Sequence, residues 1–305
     1  PIISQQHHPR ATEATTKYFL TQATASAVIL FASWMNAWKT GQWSIYQTSS
    51  PESIIMLTLG LAMKLGLAPL HFWLPEVLQG STMLVTMIIS TWQKLAPTSI
   101  LYMISNHVNE HILMTFALGS AVLGGWMGLN QTQTRKIMAF SSIARMGWIF
   151  MGVALNPNLT LLTLSIYLFM TTAMFTSLML TASKTLMDLG TIWPQTPALL
   201  STTMITLMSL GGLPPLTGFM PKWLILKELA VNNLPMISTL MALSTLPSLF
   251  FYLRMSHMTS LTLPPETTNT GYKWRFKLNK MPLTTPTIIL ANLLLPVTPL
   301  IINFC

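Results

Sequence analysis

Long apolar runs alternate with short polar stretches along this chain, and the runs have the length of membrane crossings. A helix that spans a bilayer needs about 20 mainly apolar residues. Nine segments meet that requirement, near residues 17–37, 52–78, 82–104, 111–129, 137–155, 158–183, 197–220, 222–254 and 283–303. The segments at 52–78 and 197–220 are interrupted by glycine and proline. No polar/apolar alternation runs long enough for a membrane β-barrel. Helices satisfy their own backbone polar groups, as lipid requires. The pattern therefore predicts an all-α polytopic bundle, a single transmembrane domain over residues 1–305.

Composition removes the other classes. Charged residues make up 8% of the chain and hydrophobic ones 51%, whereas a soluble domain carries about 25% charged residues. Too little polar surface exists to cover a soluble globule, and a disordered chain is excluded on the same ground. The one cysteine is Cys305, so the chain builds neither a disulfide framework nor a Cys-ligated cluster of its own. Because the chain begins at Pro1 and not at Met, its true start is expected upstream.

The net charge of +9 raises nucleic acid as a partner, but the cations lie scattered between apolar runs and have a better use in membrane topology. If each segment crosses once, Arg10, Lys17, Arg135, Lys136, Lys184, Arg254, Lys273, Arg275, Lys277 and Lys280 fall on one side. Lys39 falls on the other, with Lys222 and Lys227 near a helix start. This asymmetry puts the basic side in the matrix or cytoplasm. On that side Tyr272-Lys273-Trp274-Arg275-Phe276-Lys277 alternates aromatic and cation, the pattern of an interfacial loop held by anionic lipid.

The two interrupted segments repeat one motif. Gly66-Leu67-Ala68-Pro69-Leu70, four residues, then Pro75-Glu76 matches Gly212-Leu213-Pro214-Pro215-Leu216, four residues, then Pro221-Lys222. Proline removes an N–H and clashes with the carbonyl four residues back, so Pro69, Pro214 and Pro215 are the expected helix-breaking residues. Paired breaks in two halves of a membrane chain point to a transport site; two ordinary proline kinks are the plainer alternative.

Lysines sit where lysine is expensive. Lys64 precedes the first break, Lys94 lies near the middle of the 82–104 segment, and Lys222 directly follows the second break. A cation at the centre of a membrane helix costs about 3 kcal/mol on insertion scales. Such residues line hydrated cavities and carry protons, or else pair with carbonyls at helix breaks. His71 titrates near physiological pH and suits a proton relay, or anchors the interface beside Trp73. Glu76 has no other acid within twenty residues on either side and reads as a charge partner at the membrane edge. His7 and His8 have no third ligand nearby and suggest solvation, not a metal. Arg145, inside the 137–155 segment, has no evident partner in the sequence. No G-x-G-x-x-G and no Walker A motif occurs, so no recognised nucleotide or flavin site is present.

These residues carry a family resemblance. The run Ala11 to Ser26 and the run Met63 to Glu76 resemble the antiporter-like, proton-pumping membrane subunits of respiratory complex I. So do Trp92-Gln93-Lys94-Leu95-Ala96-Pro97, the stretch from Gly128 to Trp148, and Leu210 to Trp223. The resemblance implies inverted repeats with a broken helix in each, a proton channel, and residence in the mitochondrial inner membrane. It assigns proton transfer to Lys64, Lys94 and Lys222. It also implies that NAD, FMN, iron–sulfur clusters and ubiquinone are held by partner subunits of the complex and none by this chain. A multisubunit cation/proton antiporter remains the alternative. Two departures follow. The family's glutamate partner of Lys64 is expected upstream of Pro1, and Arg145 stands where relatives generally carry histidine, a replacement that cannot deliver a proton.

Overall fold

The computed structural model describes residue 3 and residues 8–45, 48–191, 196–260 and 284–298. It is an all-helical bundle. The helices are α1 (Pro9–Thr40), α2 (Pro51–Leu65), α3 (Trp73–Gly80), α4 (Met83–Ser90), α5 (Leu95–Ile104), α6 (Glu110–Gly128) and α7 (Thr134–Leu155). They continue as α8 (Pro157–Thr181), α9 (Leu186–Thr191), α10 (Pro197–Gly211), α11 (Phe219–Val231), α12 (Pro235–Ser260) and α13 (Thr284–Leu293). Proline opens α1, α2, α8, α10 and α12, where its missing N–H costs nothing and its fixed φ suits the first turn.

Among the described residues, α1, α6, α7, α8 and α12 are each long and apolar enough to cross a membrane alone. The interrupted segments at 52–78 and 197–220, and also the segment at 82–104, are each assembled from shorter helices. One expected boundary is corrected. The 222–254 segment is not one helix, because Asn233 takes a left-handed φ of 56° between α11 and α12. Its first part completes the second broken segment as α11, and its crossing is α12. A second correction concerns 82–104, which is not continuous: a 3-10 turn, Trp92–Lys94, separates α4 from α5. The 283–303 segment is described only as α13 and a short 3-10 turn, Leu295–Val297. The Tyr272–Lys277 stretch and His7 lie outside the described residues.

Helix α7 is the axis of the bundle, with 94% of its apolar window buried, whereas α1 is peripheral at 11%. It packs against α6 at backbone distance: a Cβ on Gly147 would sit 2.6 Å from the Ala117 carbonyl, the small-residue approach typical of membrane helices. Buried hydroxyls return to their own helix, as with Thr163 to the Thr160 carbonyl (2.9 Å) and Ser244 to the Met241 carbonyl (2.7 Å). Threonine and serine thus enter the apolar interior without an unsatisfied group.

Contacts between helix ends define two poles. Lys17 pairs with Glu76, Arg135 donates to the carbonyls of Gln79 and Ser81, and Thr134 Oγ1 donates to that of Lys184. Arg254 reaches the Leu129 carbonyl. Arg135, Lys17, Lys184 and Arg254 therefore gather at one pole, as the charge pattern predicts. Lys39 and Glu52 pair at the other, 2.6 Å apart. It follows that α2–α3 runs toward the basic pole while α10–α11 runs away from it, so the two broken segments are inverted copies. One apolar core joins Leu57, Leu61, Leu113, Val153, Ile225 and Leu229 in the half away from the basic pole. Two others, around Ile137, Phe175 and Met255 and around Val77, Val85 and Ile143, fill the basic half. The breaks lie at the seam between them.

Candidate functional site

Both breaks are made by glycine. α2 ends at Gly66 (φ 73°) and α10 at Gly212 (φ 85°), left-handed conformations that glycine adopts freely. Each glycine N–H bonds back to the last turn, and the next N–H reaches one residue further, Leu67 to Ala62 and Leu213 to Met208. This is the 6→1 closure of a Schellman cap. Helix termination thus precedes the prolines: Pro69, Pro214 and Pro215 are exposed and sit in the turns that follow each glycine, with Leu216 N–H bonding back to the Leu213 carbonyl over Pro214 and Pro215.

Lys222 stands in the first turn of α11 and turns back across the break. Its Nζ donates to the Gly211 carbonyl at 2.8 Å, capping the C-terminal end of α10, where a cation complements the helix dipole. Lys64, in the last turn of α2, is half-buried and lines a cleft of about 850 Å³ with Tyr18, Gln22 and Gln93.

Lys94 is 2% exposed, and its Nζ has no hydrogen-bond partner among the described residues. It closes the 3-10 turn between α4 and α5. There its N–H bonds to Thr91 and not to Ser90. The Ser90 carbonyl freed by that change accepts from Tyr167 Oη at 2.7 Å. The Tyr167 ring then faces two cations, with Lys94 Nζ 5.6 Å and Arg145 Cζ 5.1 Å from its centroid.

The structure supplies the partners that the sequence did not show for Arg145. Its guanidinium donates to Ser141 (carbonyl, 3.2 Å; Oγ, 2.9 Å) and to Tyr252 Oη (3.1 Å). It lines one small cavity together with Lys222 and Tyr167. Lys94, Tyr167, Arg145 and Lys222 are therefore one polar row through the seam of the bundle, with Lys64 beside the neighbouring cleft. Among the described residues no carboxylate pairs with it: Glu13, Glu52, Glu76 and Glu110 are exposed, and Asp188 and Glu228 are half-buried. Among the described residues the ion pairs are Lys17–Glu13, Lys17–Glu76 and Lys39–Glu52.

His71 and Glu76 are not in this row. His71 is buried at 1% exposure, stacked on Phe72 with its Nε2 3.3 Å from Met127 Sδ, which removes the interfacial-anchor reading. Glu76 is exposed at the basic pole, 2.5 Å from Lys17. Lys227 is exposed too. The residues that sequence reasoning missed are Tyr167, Tyr252 and Ser90. A phenol in the middle of the 158–183 run was the one available signal, weaker than a buried cation because tyrosine is common in apolar helices.

Comparison with known proteins gives a consistent picture. The family profile described as NADH:quinone oxidoreductase/Mrp antiporter, transmembrane, matches residues 2–248. The profile for the NADH dehydrogenase subunit 2 C-terminus matches residues 249–302. The chain is 52% identical to NADH-ubiquinone oxidoreductase chain 2 of Gallus gallus, over 99% of this chain and 88% of the relative. It is 51% identical to that of Latimeria chalumnae, over 98% and 86%. Among solved structures, a chain of respiratory complex I from Thermus thermophilus with bound aureothin superposes with a TM-score of 0.80 at 25% identity, over 98% of this chain and 68% of the other. A chain of the Mrp complex from Dietzia sp. DQ12-45-1b shares the fold, with a TM-score of 0.78 at 16% identity over 96% and 67%.

Proposed function

Because the chain belongs to the NADH-ubiquinone oxidoreductase chain 2 family, we propose that it is a membrane-arm subunit of the proton-translocating NADH:ubiquinone oxidoreductase of the mitochondrial inner membrane. Its part is to move protons while partner subunits carry out electron transfer. NAD, FMN, the iron–sulfur clusters and ubiquinone are bound by those partners. The antiporter fold is common to both readings, and the subunit 2 profile over residues 249–302 favours the oxidoreductase over a cation/proton antiporter.

The observation that carries this reading is a row of interior cations, Lys94 buried and Arg145 and Lys222 half-buried, in which no ion pair to a carboxylate forms among the described residues. An uncompensated charge inside an apolar bundle is costly. Lysine relieves the cost by giving up its proton or by gaining a carboxylate partner; arginine has only the second route. Lys94 thus has two states, protonated when a negative charge approaches and neutral when it leaves. Lys64, beside its open cleft, takes protons up. Lys94 passes them through the seam. Lys222 holds its proton against the Gly211 carbonyl until release. His71 and Glu76 lie toward the basic pole and act at its mouth, and the cations there bind anionic lipid headgroups.

Lys94→Met in the assembled enzyme tests this reading. The expected result is a lowered proton-to-electron ratio with NADH oxidation by the peripheral subunits intact. An unchanged ratio would leave the chain a structural subunit. Native-gel separation of mildly solubilised membranes followed by mass spectrometry tests the assembly itself, and migration away from the flavin and iron–sulfur subunits would favour the antiporter.

A further inference from the structure

The seam contains one permanent charge, Arg145, and it shares an aromatic ring with the most buried lysine. The groups facing Lys94 from the surrounding helices are Tyr167 on α8, Arg145 on α7, and, beyond Arg145, Tyr252 on α12 and Lys222 on α11. Tyr167 is held from both directions. Its hydroxyl is bonded to the Ser90 carbonyl and lies beside Ser142. Arg145 is held as firmly by Ser141 and Tyr252. Neither group can move without breaking a buried hydrogen bond, so both are fixed relative to the turn that carries Lys94.

Their effects on Lys94 have opposite sign. An aromatic face attracts an ammonium and has little to offer a neutral amine. A guanidinium repels an ammonium and is indifferent to the amine. We propose that Tyr167 and Arg145 are an opposed pair of positioning residues that sets how firmly Lys94 holds its proton, the ring favouring retention and the fixed charge favouring release. Rapid transfer needs the two to be balanced. This rests on the proton-transfer role given to Lys94 above. It assigns Arg145 a task that a titrating side chain in its place would perform only in one of its two states.

A double-mutant cycle in the assembled, vesicle-reconstituted enzyme provides the test. Tyr167→Leu removes the attraction and Arg145→Gln the repulsion, and each alone is expected to slow pumping turnover about tenfold. Together they are expected to restore turnover to within about threefold of the unmodified enzyme, since opposed errors cancel. Packing damage accumulates and does not cancel. Tyr167→Phe, which keeps the ring and loses the Ser90 bond, is expected to stay within about twofold. Losses that add in the double variant, or a Phe variant as slow as the Leu variant, overturn the proposal. If Tyr167→Leu fails to assemble, Arg145→Lys decides: it keeps the charge and should pump faster than Arg145→Gln, and equal rates overturn the proposal. A Lys94→Met enzyme that pumps normally would instead remove the reading on which the pair depends.

Discussion

The two broken helices share one backbone and differ in what they do with it. Gly66 and Gly212 close their helices with the same left-handed cap and the same pair of backward hydrogen bonds. Position by position, Glu76 in the first copy corresponds to Lys222 in the second. Glu76 points outward to Lys17 at the basic pole, and Lys222 points inward to the Gly211 carbonyl. In the first copy the side-chain donor at the last turn is neutral: Trp73 Nε1 bonds at 3.1 Å to the Met63 carbonyl, which also accepts from the Gly66 N–H. The first copy's cation, Lys64, is therefore left facing the cleft, while the second copy's cation is held by the break itself. One cap thus serves a lysine free to meet a partner and a lysine tied to a helix end.

The largest expected effect lies at the tied lysine. Lys222→Met removes both the proton carrier and the cap on α10, and pumping turnover is expected to fall by at least about tenfold. Lys222→Arg restores the cap without the exchangeable proton. Recovery of turnover by arginine would make Lys222 a structural residue and erase the functional difference between the breaks. Next in size is a paired glycine test. A Cβ at Gly212 would meet Lys222 Nζ at 2.9 Å, whereas at Gly66 the nearest side-chain atoms are 3.4 Å away. Both alanine variants carry the left-handed strain of about 1 kcal/mol, and Gly212→Ala must also displace the lysine. Thermal denaturation of the purified complex should rank Gly212→Ala below Gly66→Ala, and its pumping should fall while that of Gly66→Ala holds.

Much of this was legible in the chain because membrane physics leaves few options. The apolar runs, the basic pole and the paired motif of Gly66 and Gly212 follow from backbone satisfaction in lipid and from the placement of cations. Helix continuity was less legible. The run from Met83 to Ile104 is apolar throughout its first part and shows no glycine, so the 3-10 turn at Trp92–Lys94 is invisible until Tyr167 is seen bonding to Ser90. The boundary near Asn233, by contrast, is written in the sequence as Asn232-Asn233-Leu234-Pro235, a turn signal followed by a proline that opens α12, and it was outweighed by the apolar runs on either side. Prolines drew attention to the breaks, yet glycine ends both helices. Of the partners of Arg145, Ser141 lies one turn back on its own helix, while Tyr167 and Tyr252 lie on α8 and α12, and pairing across helices is a property of the packed bundle alone.

The smaller effects separate the neutral cap from the exposed pair. Trp73→Phe keeps an aromatic ring and removes the N–H, leaving the Met63 carbonyl with the Gly66 N–H as its remaining donor. The loss is expected to be about 1–2 kcal/mol of stability, read by thermal denaturation, with the proton-to-electron ratio unchanged because no proton carrier is touched. A fall in that ratio would mean that the first break, like the second, ties its cap to transfer. Glu76→Gln should do least. Glu76 is exposed, and Lys17 keeps Glu13 as a second partner at 2.5 Å, so turnover is expected to stay within about twofold at physiological salt. Since Glu76 and Lys222 occupy the same place in the repeat, a large effect of Glu76→Gln would show that the outward-facing copy is also part of the proton path. A small one leaves the division between the copies as the geometry has it: one break open to a partner charge, the other carrying its own cation.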